Sequence, residues 1–369
     1  MWTRIYLGKH TYLLRNRAHF VIIRDAGGMA ERLNALVLKT SKGATPSRVR
    51  IPVSPPLLLL LLIFISFPVF AIEEGFAKND EVEIFYRDYG PKENSPVLLI
   101  MGLGGQSTFW PDYFIDHLQT NGFRPIVFDN RDMGLSTRFN SDPSFLGNYI
   151  KYYLFLPVRS EYKLDDMADD AVLVMDHLQI EQTHLIGMSM GGMISQIIAA
   201  NYSDRIKSYT QIASMAQVPS PLNGPSRKVM RLLNERVRAD DSLDERVDRA
   251  VRLMTTIGMP GYDYSTPEVR QEIIEGIERS EDDSGFIRQM AAILATDGRL
   301  EKVKQIEDST LIIHGKQDPL IHVRNAYYSH DIIANSDLVI IENMGHLIEE
   351  EVFEQFKEDL VEHLKSNET

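Results

Sequence analysis

From about Glu73 onward the hydrophobic positions fall into short blocks of one recurring form. "EVEIFYRDYG" (81–90) alternates polar and apolar residues and puts Val82, Ile84 and Tyr86 on one face, which predicts a half-exposed strand. "PVLLIMG" (96–102) is instead a continuous apolar run closed by glycine, the form of a strand buried on both faces. "RPIVFD" (124–129), "THLIGM" (183–188), "SYTQIAS" (208–214), "STLIIHG" (309–315) and "DLVIIE" (337–342) repeat it. Stretches of helical spacing lie between. "DDMADDAVLVMDHL" (165–178) opens with carboxylates that suit a helix N-terminus and aligns Met167, Ala171, Val174 and Leu178. "EVFEQFKEDLVEHL" (351–364) predicts a closing helix with Val352, Phe356, Leu360 and Leu364 on its apolar face. Strands alternating with helices predict an α/β fold, a mostly parallel central sheet with helices on both faces.

One segment breaks the alternation. From 217 to 300 there are four helix-like stretches and no convincing strand: "SRKVMRLLNERV", "DERVDRAVRLM", "PEVRQEIIEGI" and "GFIRQMAAIL". An all-helical insertion in such a sheet reads as a helical cap over the carboxyl ends of the strands, where ligands bind in this architecture; an ordinary lateral subdomain is the alternative. The predicted layout is a leader over 1–72, an α/β core over 73–216 and 301–369, and the cap over 217–300.

Composition changes the picture mainly at the N-terminus. Residues 1–56 carry ten Lys/Arg against two Asp/Glu, whereas the remaining chain has a balance of −21. So acidic a body is a poor partner for nucleic acid, whose affinity comes from neutralising phosphates. Cysteine is absent, which excludes disulfides, zinc–thiolate sites and thiol nucleophiles. The basic leader lacks sustained periodicity, and within Gly27–Pro56 it reads like a translated transfer-RNA gene: Val49-Arg50-Ile51-Pro52 back-translates as the T-arm sequence GTT CGA ATC CC. On that hypothesis the reading frame opens too far upstream, and an N-terminal peptide mapped within Met1–Ser54 overturns it; the rival is a basic, disordered leader. "LLLLLLIFISFPVFA" (57–71) has fifteen residues, short for a membrane span of about twenty. It matches a signal-peptide apolar region ending in a cleavage-like Val69-Phe70-Ala71, or else pyrimidine-rich intergenic DNA. Export to the periplasm or beyond follows from the first reading and a cytoplasmic location from the second. Membrane contact is expected only if Leu57–Ala71 is a real, uncleaved segment.

Candidate chemistry centres on Gly187-Met188-Ser189-Met190-Gly191, a G-x-S-x-G pattern between a predicted strand and a predicted helix. The glycines let backbone pass close by while the serine hydroxyl projects into a cleft. A serine hydroxyl needs a base, and the base needs an orienting partner. Asp318 follows the predicted strand "STLIIHG", and His346 lies in the loop after the last one. All three therefore fall at one sheet edge, in the chain order Ser, Asp, His. Acyl transfer also needs donors for an oxyanion. The backbone N–H of Met190 is one, and the N–H of Leu103, in the glycine-rich "MGLGGQ" loop (101–106), is the other. Such a site requires no metal and no organic cofactor.

On these residues the chain resembles the α/β-hydrolase family over roughly 75–366. "LLIMGLGGQSTFWPDYF", "IVFDNRDMGLSTRF" and "HLIGMSMGGM" are similar to capped bacterial esterases of the aclacinomycin methylesterase type. The resemblance implies a Ser189–His346–Asp318 triad with an oxyanion site at Leu103 and Met190. Many relatives open the oxyanion loop with His-Gly where this chain has Met101-Gly102; because a backbone N–H does the work there, little loss is expected. Serine at the elbow argues against dehalogenase and epoxide hydrolase chemistry, which uses aspartate. Asp129 and Arg131 of "DNRDMGLS" are expected to be ion partners in a structural turn, and Met188 and Met190 to be packing residues. The leading expectation is a serine hydrolase that cleaves a small-molecule carboxylic ester bearing an apolar group. Thioesterase, lactonase, carbon–carbon hydrolase, aminopeptidase or haloperoxidase activity are alternatives, as is a non-catalytic binder on the same fold.

Overall fold

The computed structural model describes residues 2–7, 10–15 and 72–368, except 218, 221–222, 236–240 and 281–283. Residues 1–71 and 72–369 form separate units. In the first, β1 (Trp2–Leu7) and β2 (His10–Arg15) pair as an antiparallel ribbon with Leu7 opposite His10, a pairing the weak periodicity of this stretch did not anticipate. The transfer-RNA-like and signal-like stretches from 27 to 71 lie outside the described residues.

The second unit is built on eight strands: β3 (Glu73–Lys78), β4 (Glu83–Asp88), β5 (Ser95–Ile100), β6 (Phe123–Phe128), β7 (Thr183–Met188), β8 (Ile206–Ile212), β9 (Thr310–Gly315) and β10 (Ser336–Ile341). Their order is β10-β9-β8-β7-β5-β6-β4-β3, and only β4 runs against the others. The α/β fold expected from the alternating pattern is the fold observed. The continuous apolar runs are explained by what covers them. On β5, Leu98 and Ile100 enter one cluster while Val97 and Leu99 enter another on the opposite face, so neither face can be polar. β3 escaped the sequence pattern because it is an edge strand, largely solvent-facing, in which only Ala77 is fully buried.

Two helical details also differ from the pattern. Phe145–Tyr153 is a helix that periodicity did not single out; it starts at Ser144, whose side chain accepts the Gly147 N–H. The closing helix is divided into Glu350–Phe353 and Lys357–Ser366, with Phe356 at φ −130 between them. Val352, Phe356, Leu360 and Leu364 are nevertheless all buried, because the break lets Phe353 and Phe356 both pack on the Asp112–Thr120 side of the sheet.

Two buried histidines make stability pH-dependent. Burial pushes His184, on β7, and His363, on the last helix, down to about 4 from 6.5. Between those values the unfolded chain binds the extra protons, so stability is complete above about 6.5 and falls as pH drops toward 4. Asp308, pushed up by burial to about 6, acts in the opposite sense below that pH, as do Asp112, Asp116, Asp170 and Glu272, whose carboxyls burial also raises. The share carried by His184 is read by substitution: on acidification from pH 7 to pH 4.5 the unfolding midpoint of His184→Gln should fall less, or rise more, than that of the parent. The same pH-dependence in the two proteins would contradict the assignment.

Candidate active site

β7 ends in a sharp turn, a single residue separating it from the next helix. Ser189 adopts φ 55 and ψ −119, a sparsely populated conformation for a residue with a side chain, which costs about 1–3 kcal/mol. The surroundings hold it there: Ser189 N–H donates to the Ile212 carbonyl at 2.9 Å, and Ser214 Oγ donates to the Ser189 carbonyl at 2.6 Å. The Met190–Asn201 helix starts at the next residue, so its N-terminus adjoins the hydroxyl. The glycines are required by space. A Cβ on Gly191 would overlap the Ile100 carbonyl, and one on Gly187 would meet Ser195 Oγ and the Gly191 carbonyl. Met188 and Met190 are buried in the clusters on opposite faces of the sheet, which accounts for them as packing residues.

Asp318 and His346 come together from the ends of β9 and β10. His346 Nδ1 and Asp318 Oδ2 are 2.7 Å apart, and since a carboxylate only accepts, Nδ1 carries the proton and Nε2 is left basic. Asp318 Oδ1 is held by the backbone N–H groups of Leu320 and Ile321, each at 2.8 Å. Ser189, Asp318 and His346 are respectively 8, 4 and 3% exposed. The structure thus joins two of the three predicted side chains by a hydrogen bond and places the third at the end of β7. No hydrogen bond reaches Ser189 Oγ among the described residues; the Ser189–base contact often tightens only when substrate binds.

The loop after β5 lies directly against the serine: a Cβ on Gly102 would stand 3.0 Å from Ser189 Cβ. Neither the Leu103 nor the Met190 N–H donates to a protein acceptor among the described residues. The loop is clamped on either side of Leu103. Asn130 Nδ2 donates to the Met101 carbonyl, and the Gly104 N–H donates to Gln289 Oε1, both at 2.9 Å. Gln289 Nε2 in turn donates to the Arg131 carbonyl, and the residue is wholly buried.

Gln289 was invisible to sequence reasoning because a glutamine on an otherwise apolar helix face, far along the chain, has no local signal. His314 is similar. It is buried beneath Asp318, with Nε2 donating to the Ile321 carbonyl at 2.8 Å and 3.5 Å from Asp318 Oδ2, and burial pushes its pKa down so that it stays neutral. Asp129 and Arg131 are ion partners as expected, but not of each other. Arg131 pairs with Asp170 at 2.6 Å, while Asp129 pairs at 2.7 Å with Arg279 of the helical insertion.

That insertion comprises Arg227–Leu233, Leu243–Ile257, Pro267–Arg279 and Gly285–Ala295. It is fastened to the same loops. The His346 N–H donates to the Ile257 carbonyl at 2.6 Å, Tyr264 OH bonds Glu349, and Gln106 Nε2 donates to the Gly276 carbonyl at 2.6 Å. Because Gln289 belongs to the insertion yet holds the Gly104 N–H, its replacement should disturb Leu103 without touching substrate. Gln289→Leu is expected to lower kcat by about tenfold to a hundredfold with little change in KM, somewhat less than outright loss of an oxyanion donor. An unchanged kcat would remove Gln289 from this role.

Sheet order, elbow and histidine–carboxylate pair define a class, and comparison with known proteins agrees: a profile described as alpha/beta hydrolase fold matches residues 95–351, and the chain belongs to this family. It is 27% identical over 308 residues to rhodomycin D methylesterase DauP of a Streptomyces species, an alignment covering 78% of this chain and 97% of that protein. It is 23% identical to 3-oxoadipate enol-lactonase 2 of Acinetobacter baylyi, over 74% of this chain and 90% of the relative. Among solved structures, the enol-lactonase from Burkholderia xenovorans superimposes with a TM-score of 0.62 at 21% identity, covering 79% of this chain and all of that one.

Proposed function

We propose that this chain is a serine hydrolase that cleaves a carboxylic ester through an acyl-enzyme on Ser189. The observation that carries the reading is the strained Ser189 at the end of β7, at the same sheet edge as a His346–Asp318 pair whose hydrogen bond leaves His346 Nε2 basic. Ser189 Oγ attacks the acyl carbon as His346 Nε2 takes its proton. The carbonyl oxygen becomes an oxyanion facing the Leu103 and Met190 N–H groups. Collapse breaks the bond to the alcohol oxygen, to which His346 returns the proton. Water then attacks the acyl carbon and gives a proton to His346, which returns it to Ser189 Oγ as the acyl–oxygen bond breaks and the carboxylic acid is released. Asp318 stabilises the imidazolium throughout. We assign 217–300 as the cap, since its Ile257, Arg279 and Gln289 hold the His346, Asp129 and Gly104 loops.

The methylesterase relative favours an ester whose alcohol portion is small, and the lactonase relative a cyclic ester; both are opened by the same acyl-enzyme chemistry. An activated organophosphonate tests the mechanism, and a panel of methyl esters and lactones the substrate. Stoichiometric inactivation with the adduct on Ser189 is expected. Labelling of another residue, or no turnover of any ester by a folded and unmodified protein, would overturn the proposal.

A further inference from the structure

Ten large apolar side chains are exposed among the described residues, and six of them lie between Leu146 and Leu156. Leu146 and Ile150 share one face of the Phe145–Tyr153 helix, one turn apart. Beyond the helix the chain turns sharply: the Leu156 N–H donates to the Lys151 carbonyl at 2.8 Å, and Phe155 takes a φ of 55. With the Phe155 N–H donating to the Tyr152 carbonyl at 3.0 Å, this is a Schellman helix end, and it turns Phe155 outward, where the residue is 96% exposed and packs on nothing in the unit. The neighbouring face of the helix, about 100° around, is anchored. Tyr149 is buried and Phe145 stacks on Phe286, whose ring stands 3.0 Å from where a Cβ on Gly104 would be. The first turn of the helix, at the end away from Leu154–Leu156, is therefore one aromatic ring from the loop carrying Leu103.

Charge around the tip departs from the rest of the unit. From Pro143 to Ser160 the only charged residues are the exposed Lys151 and Arg159, bounded by Asp142 and Glu161, in a chain that is strongly acidic beyond residue 56. Protruding leucine and phenylalanine, tyrosines behind them and lysine and arginine at the margin are the order in which side chains meet a lipid–water boundary. A protein partner would favour a flatter patch with a pocket to fill. We infer that the 145–156 tip is a lipid-docking surface, inserting Leu154, Phe155 and Leu156 into a membrane that carries anionic headgroups. It places the site beside a lipid phase from which an apolar ester can be drawn. This last point rests on the ester reading, whereas the docking itself does not.

The test uses the full chain with Leu154→Asp/Phe155→Asp and, separately, Lys151→Glu/Arg159→Glu. Co-sedimentation with phosphatidylcholine vesicles containing about a quarter phosphatidylglycerol reads binding without turnover, and p-nitrophenyl acetate reads the site in water. Binding of the parent chain is expected to weaken by about tenfold or more in the first variant. The second should weaken it on the mixed vesicles and leave it unchanged on phosphatidylcholine alone. Activity on the soluble ester should stay at the parent level in both. A parent chain that remains in the supernatant overturns the inference. So does equal sedimentation of the parent and the first variant, which would place membrane affinity elsewhere in the chain. A Phe155-dependent dimer in sedimentation velocity without vesicle binding overturns it too, in favour of a second copy. Loss of soluble-ester activity in every chain would count against the ester reading alone.

Discussion

Ser189→Ala should lower ester turnover by about five to six orders of magnitude while leaving the unfolding midpoint near the parent value. The loss is that large because, on the proposed mechanism, the hydroxyl forms the acyl bond, and nothing else at the end of β7 would replace it. The partners should show the same loss without adding to it: His346→Ala alone and Ser189→Ala/His346→Ala together should be nearly equal, since a base with no nucleophile to activate contributes nothing. Asp318→Asn is expected to cost about ten-thousandfold by a route the geometry makes explicit. Oδ1 accepts from the N–H groups of Leu320 and Ile321, so an asparagine would keep its oxygen there and turn its NH2 toward His346. The imidazole would then have to accept at Nδ1 and carry its proton on Nε2, where it cannot take one from serine. Steady-state kinetics on one ester across the four variants checks the scheme. Additive losses, or an appreciable rate in Ser189→Ala, would refute it.

Arg288→Met should destabilise the protein by about 3–5 kcal/mol, measured as a shift in the urea unfolding midpoint at constant slope. Asp132 is fully buried, with φ 71, at the turn after β6. Its Oδ1 accepts from the Phe139 N–H at 2.8 Å and from Arg288 Nε at 2.9 Å, while Oδ2 accepts from Tyr162 OH at 2.5 Å. Arg288, only 4% exposed, also donates to the Ser141 carbonyl. Removing the guanidinium strands a carboxylate among neutral donors, which is why one half of a buried pair costs more to delete than both halves. Asp132→Asn/Arg288→Met should accordingly be less destabilised than the two single changes combined. Activity should fall as well, since the neighbouring Gln289 clamps Gly104. A midpoint shift corresponding to less than about 1 kcal/mol would mean that water or a rearranged loop replaces the arginine.

What could be read from the chain and what could not follow from the range of the interactions involved. β5, β7 and β9 were legible because burial on both faces forces a run of apolar residues, a signal contained within six positions. Ser189 was legible because the elbow needs glycine at 187 and 191 on its own turn, and Asp318 and His346 because each follows a legible strand. β3 was not, because an edge strand facing water can be built from polar residues. The Phe145–Tyr153 helix was not, because its exposed Leu146 and Ile150 blur the polar–apolar contrast by which a surface helix is recognised.

By itself the sequence determined the class of fold, the order in which Ser189, Asp318 and His346 reach one sheet edge, and the glycines that make the elbow fit. Only the tertiary structure decided which groups hold that site. Gln289 meets Gly104 across 185 positions, Arg288 meets Asp132 across 156, and Arg279 turns Asp129 into a tie between insertion and core. A hydrogen bond or ion pair between distant segments leaves no period in either one. Its partner is set by where the chain places them, and that placement exists only once the sheet has formed.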